Sequence, residues 1–124
     1  MLQANAAKKF LREAALARRD ALSVAQRAAA ADAIAARGLP VAAASGMVLS
    51  GYSPIRSELD PVPLMHKLER DGAVLALPVI VSRDQPLLFR RWHASAGLIK
   101  GQLGILEPDA SAPAAAASVP WLTW

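Results

Sequence analysis

A chain of 124 residues has room for one small domain, and its 54% hydrophobic content, much of it alanine, allows a modest core. It has no cysteine, which excludes disulfides and thiolate metal sites and fits a reducing cytoplasm, and no run of about 18 apolar residues that would span a membrane. The net charge of +4 sits wholly in residues 1–45, where seven Lys and Arg face three acids; from Gly46 onward seven of each balance. A basic end of this kind attracts polyanions. No apolar core follows the first charges, so no secretory leader is expected.

In chain order, Phe10, Leu11, Ala14, Ala15, Arg18 and Leu22 recur at helical spacing, which predicts a first helix from an N-cap at Asn5 to Ala21. Ser23-Val24-Ala25-Gln26 has the form of a capping box, so a second helix starts at Ser23. It runs to about Arg37, where Gly38-Leu39-Pro40 stops it, and pairs with the first at an antiparallel or angled crossing. The pattern then changes period. Met47–Tyr52 reads as a buried strand, and Asp60 caps a short helix from Pro61 to Asp71, closed by Gly72. Ala73–Val81 is a nearly continuous apolar strand of the kind buried on both faces. Strand, helix and strand in about 30 residues predict a parallel crossover unit. Leu87–Trp92 is a further strand, entered by a turn at Asp84-Gln85-Pro86. Gly101–Pro108 reads as a glycine-punctuated loop, and Asp109–Ser118 as an Ala/Pro/Ser linker. The organisation is therefore a single domain: a basic helical pair at 1–45, an α/β part at 46–108 and a linker-like tail at 109–124.

Several residues can carry chemistry. Lys8 and Arg12, four apart on one helix face, can straddle a polyphosphate. A solvated pair is the plainer reading. Glu58 and Asp60 follow a strand, where ligands of open α/β sheets settle, and can hold a ligand's ring nitrogens or Mg²⁺. Capping accounts for Asp60, while no structural duty is legible for Glu58. Tyr52 and Trp92 read as core or strand-edge aromatics, and His66 and His93 have no spacing to a metal or nucleophile partner. Leu103 with Ile105 packs the loop or lines an aromatic ligand's pocket. No phosphate-loop, dinucleotide, nucleophile-elbow or zinc motif occurs.

Six of these pieces in order resemble the 5-formyltetrahydrofolate cyclo-ligase family, also called methenyltetrahydrofolate synthetase. They are Lys8-Lys9-Phe10-Leu11-Arg12, the Arg-rich helix ending Ala21-Leu22-Ser23, and Tyr52-Ser53-Pro54 with Glu58-Leu59-Asp60. Gly72 through Leu77-Pro78-Val79, then Leu88-Phe89-Arg90-Arg91-Trp92, and Gly101-Gln102-Leu103-Gly104-Ile105-Leu106-Glu107-Pro108 complete the set. The resemblance implies an α/β, Rossmann-like three-layer sandwich with a mostly parallel sheet, incomplete at its C-terminus. It also implies an ATP- and Mg²⁺-dependent ligase that closes 5-formyltetrahydrofolate to 5,10-methenyltetrahydrofolate and releases ADP and phosphate. Carried over by position, Lys8, Lys9, Phe10, Leu11 and Arg12 contact ATP, and Tyr52, Ser53, Glu58 and Leu103 contact a folate, polyglutamylated or not. Two features depart from the family pattern. Pro61 stands where Thr is usual, and the glycine-rich R-L-G-x-G-x-G-Y-Y-D stretch that cradles the nucleotide is absent after Val119-Pro120. A C-terminally truncated member with weak or no turnover is the expectation. The rival readings are a non-catalytic folate- or nucleotide-binding remnant and a basic nucleic-acid binder built on residues 1–45. The latter has only Phe10 to stack on bases.

Overall fold

A computed structural model of the chain describes residues 2–42, 45–101 and 104–115. Helix α1 spans Leu2–Asp20. Leu2, Gln3 and Ala4 are good helix formers, so the helix begins ahead of Asn5, which lies within it instead of capping it. Helix α2 spans Val24–Arg37 and opens on the expected capping box: the Gln26 N–H donates to Ser23 Oγ at 3.1 Å, and the Ser23 N–H donates to Gln26 Oε1 at 2.8 Å. Such a cap contributes about 1 kcal/mol. The helix stops at Gly38, whose φ of +73° suits a residue without a Cβ.

Strand β1 (Val48–Ser50), helix α3 (Val62–Arg70) and strand β2 (Val74–Val79) follow, and β1 pairs parallel with β2, Val48 opposite Val74. Strand β3 (Leu88–Trp92) pairs antiparallel with β2, giving the order β1-β2-β3. The sheet is therefore mixed, not mostly parallel. Only residues 80–87 link β2 to β3, and a parallel crossover needs a dozen or more. The expected loop at 101–108 is also corrected. Strand β4 (Ile99–Lys100) pairs antiparallel with β5 (Leu106–Glu107), and the Gly101 N–H donates to Ile105 O at 2.9 Å. So is part of the expected linker. Pro113–Ala115 runs along β3, with Arg91 N–H donating to Pro113 O and Ala115 N–H to Phe89 O, each at 2.8 Å. The open edge of β3 takes up the next backbone that reaches it. Residues 116–124 lie outside the described residues.

The core forms where α3 lies on β2. Met65, Leu75, Leu77 and Trp92 are buried together, with Val62, Ala94 and Leu98 packed around them. Leu75 and Leu77 are two apart and so share one face of the strand. Burial of side chains this size contributes roughly 1.5–3 kcal/mol each. Gly51 continues β1 into the sheet through its N–H to Ala76 O at 3.0 Å, and a Cβ there would strike the Met65 thioether. α2 packs on α3, where Lys67 Nζ donates to the last carbonyls of α2, Ala35 O at 3.1 Å and Ala36 O at 3.3 Å. α1 leaves Phe10 70% and Leu11 65% exposed. Among the described residues no helix is long and apolar enough to cross a membrane.

Candidate functional site

The turn after β1 is built around Ile55–Glu58. The Glu58 N–H donates to Ile55 O at 3.1 Å, and the Ile55 N–H donates back to Glu58 Oε1 at 2.9 Å. Glu58 therefore has the structural duty that its sequence context did not reveal. Between these two bonds Arg56 is held at φ +54°, a conformation uncommon outside glycine. The expected Asp60 cap is corrected: the N-cap is Pro61, which has no side-chain capping bond, and Asp60, one residue earlier, accepts the Val62 N–H on Oδ1 at 2.9 Å. The second oxygen of Glu58 and of Asp60 has no hydrogen bond among the described residues.

Ser57, 6% exposed, turns inward from the same turn and ties it to the end of α1. Its hydroxyl accepts from Arg19 Nε at 2.8 Å and donates to Asp20 Oδ1. Nothing in the sequence spacing marks this contact, because its partners lie 37 and 38 positions apart. Tyr52 closes the group: its hydroxyl donates to Leu59 O at 2.8 Å. Partial burial, then the negative charges of Glu58 and Asp60, push its phenol above the usual value, against a smaller opposing pull from Arg19.

Between this loop and the start of α2 lies an open cleft of about 260 Å³, lined by Val24, Arg27, Ala28, Pro54, Arg56, Glu58 and Asp60. It combines two carboxylates and two guanidiniums with the apolar Val24, Ala28 and Pro54, the makings of a site for a polar ring with hydrogen-bonding edges. Arg27 Nη1 donates to Leu22 O at 2.7 Å, which holds that guanidinium at the cleft wall. Arg27 and Arg56 were not singled out in the sequence. The charge count placed Arg27 in the basic segment, and no motif pointed to either.

Of the residues singled out beforehand, Glu58 and Asp60 line the cleft, and Tyr52 contacts its loop. Ser53 is half-buried beside Pro54 and outside the lining. Lys8, Lys9, Phe10, Leu11 and Arg12 are exposed on α1 and are not in the lining either. From the Asp20 end, which is docked on Ser57, Arg12 lies about 12 Å and Lys8 about 18 Å along the helix axis. Lys9 pairs loosely with Glu13 at 4.0 Å. Leu103 lies outside the described residues. His93 Nδ1 lies 3.3 Å from Glu69 Oε2, and Glu69 also accepts the Ala94 N–H, so this carboxylate holds the loop after β3. No three His, Asp or Glu side chains among the described residues converge as a metal site. Mg²⁺ at Glu58 and Asp60 would complete its shell with water or a ligand's phosphates.

No family model, no curated protein and no solved structure matches the chain.

Proposed function

We propose that the cleft beside Glu58 binds a reduced folate, and that the protein acts in the cytoplasm as an ATP- and Mg²⁺-dependent ligase closing 5-formyltetrahydrofolate to 5,10-methenyltetrahydrofolate. The Rossmann-like three-layer architecture belongs to the same proposal. One observation carries it: two carboxylates with free oxygens stand in a partly apolar cleft at the loop that follows β1, which is parallel to β2. Ligands of open α/β sheets bind beyond the carboxyl ends of such strands. A carboxylate there can accept the ring N–H groups of a pterin. In this reading Glu58 and Asp60 orient the pterin, Tyr52 steadies the loop, and the free carboxylate oxygens offer Mg²⁺ two of its ligands. When bound, Mg²⁺ would neutralise charge on the transferred phosphoryl group.

A second reading, folate binding without turnover, is favoured by two observations. The cleft of about 260 Å³ falls just below the range of about 300–1,000 Å³ usual for small-molecule sites, and the Lys8–Arg12 pair stands apart from it. Incubation with 5-formyltetrahydrofolate and MgATP separates the two. An ATP-dependent rise in methenyltetrahydrofolate absorbance is the expected outcome for the ligase. Calorimetric binding of the folate without that rise selects the second reading, and no binding rejects both.

A further inference from the structure

We infer that Arg27 and Arg56 form an oxyanion clamp in the cleft, which receives the carboxylate or phosphate end of the ligand. The folate proposal supplies only the choice of probes. Four cleft residues are charged, yet no ion pair links them, and the salt bridges among the described residues lie elsewhere. The Arg56 guanidinium has no hydrogen bond or ion pair among the described residues, although Glu58 and Asp60 line the same space. An arginine beside two carboxylates that pairs with neither is open to an outside anion.

The backbone of Arg56 points the same way. Its φ of +54° is costly for a residue with a Cβ, and such positions cluster where a side chain must be presented to a ligand. Arg27 supplies the second half. It is half-buried, and its bond from Nη1 to Leu22 O fixes the head while leaving its other N–H groups available. Two guanidiniums, one anchored and one without a partner among the described residues, suit the planar, bidentate geometry of carboxylate and phosphate. Glu58 and Asp60 each give one oxygen to a backbone N–H, and the other oxygen of each can accept a ligand's hydrogen-bond donor. The ligand class is thus a molecule with N–H donors at one end and an oxyanion at the other.

Titration calorimetry tests the clamp with four probes on the full chain. They are 5-formyltetrahydrofolate, a 5-formyltetrahydropterin lacking the acidic tail, ATP and pyrophosphate. Arg56→Ala is expected to weaken the probe whose anion sits in the clamp by about tenfold or more, with the tail-less pterin unchanged. Arg56→Lys, which keeps the charge and loses the fork, should fall between. Loss confined to the folate identifies a carboxylate in the clamp, loss confined to ATP a phosphate, and either supports it. Unchanged affinity for every anionic probe in Arg56→Ala overturns it. Failure of the wild-type chain to bind either folate or ATP rejects the folate reading instead. The clamp is then decided by pyrophosphate: arginine-dependent binding sustains it, and absence of binding ends it. Arg56→Ala should melt like wild type because the guanidinium has no bond among the described residues. Arg27→Gln, which gives up the Leu22 contact, is a second variant, and its misfolding would leave the decision to Arg56.

Discussion

Tyr52 is the only tyrosine in the chain, so a phenolate titration reads one residue. Its folded pKa lies above 10.0 because of partial burial and the nearby Glu58 and Asp60 charges. A raised pKa means that its contribution to stability is fully present below about pH 10 and is lost as pH rises through the folded value. Ultraviolet difference spectra should show the transition above 10.0 in the native protein and near 10.0 in denaturant. A native transition at or below the denatured one would contradict the placement of Tyr52 beside those carboxylates. Ser57 is the other telling residue. Ser57→Ala removes the acceptor for Arg19 and the donor to Asp20 at once, and should lower stability by about 1 kcal/mol, both partners being partly solvated. Urea melts measure that loss; an unchanged midpoint would mean that the latch contributes nothing.

At the scale of elements, close approach makes Gly51 the sharpest test. An alanine Cβ would press on Met65, which is buried against Leu75 and Leu77 and has little room to retreat. Gly51→Ala should cost about 1–3 kcal/mol, the usual penalty of overpacking, visible as a lower melting temperature. Met65→Ala in the same background opens the space, so the double variant should lose less than the sum of the singles. The capping box at Ser23 was readable because both halves lie within four residues. The hairpin of β4 with β5 and the pairing of Pro113–Ala115 on β3 were not, because alanine and glycine composition carries no period to mark a strand. The open edge of β3 took up Pro113–Ala115, while β4 and β5 pair with each other in a separate two-stranded sheet.

Over the whole molecule, stability is unevenly placed. The packed unit of α3, β2 and β3 holds the buried apolar side chains, while α1 meets the rest through Arg19 and Asp20 on Ser57. A helix with Phe10 and Leu11 this exposed gains little from packing. Native-state hydrogen exchange should therefore find the α1 amides opening well before those of β2. Equal protection would show that α1 is covered in solution. The same layout explains the spacing of the site. Among the described residues Arg19 and Asp20 tie the last turn of α1 to Ser57, and Lys8 and Arg12, farther back along the helix, are not in the cleft's lining.

The sequence alone determined what depends on neighbours along the chain: the helices, with ends within a few residues, the Ser23 cap, the glycine stop at Gly38, and the parallel strand–helix–strand unit with Asp60 at its turn. These follow from local periodicity and from caps satisfied within one turn. Tertiary structure decided which distant groups meet. It docked α2 on α3 and drew Ser57 to Asp20. It also placed Arg27 with Arg56 in one cleft. Those contacts depend on how the elements pack in space, and no local pattern in the chain encodes that.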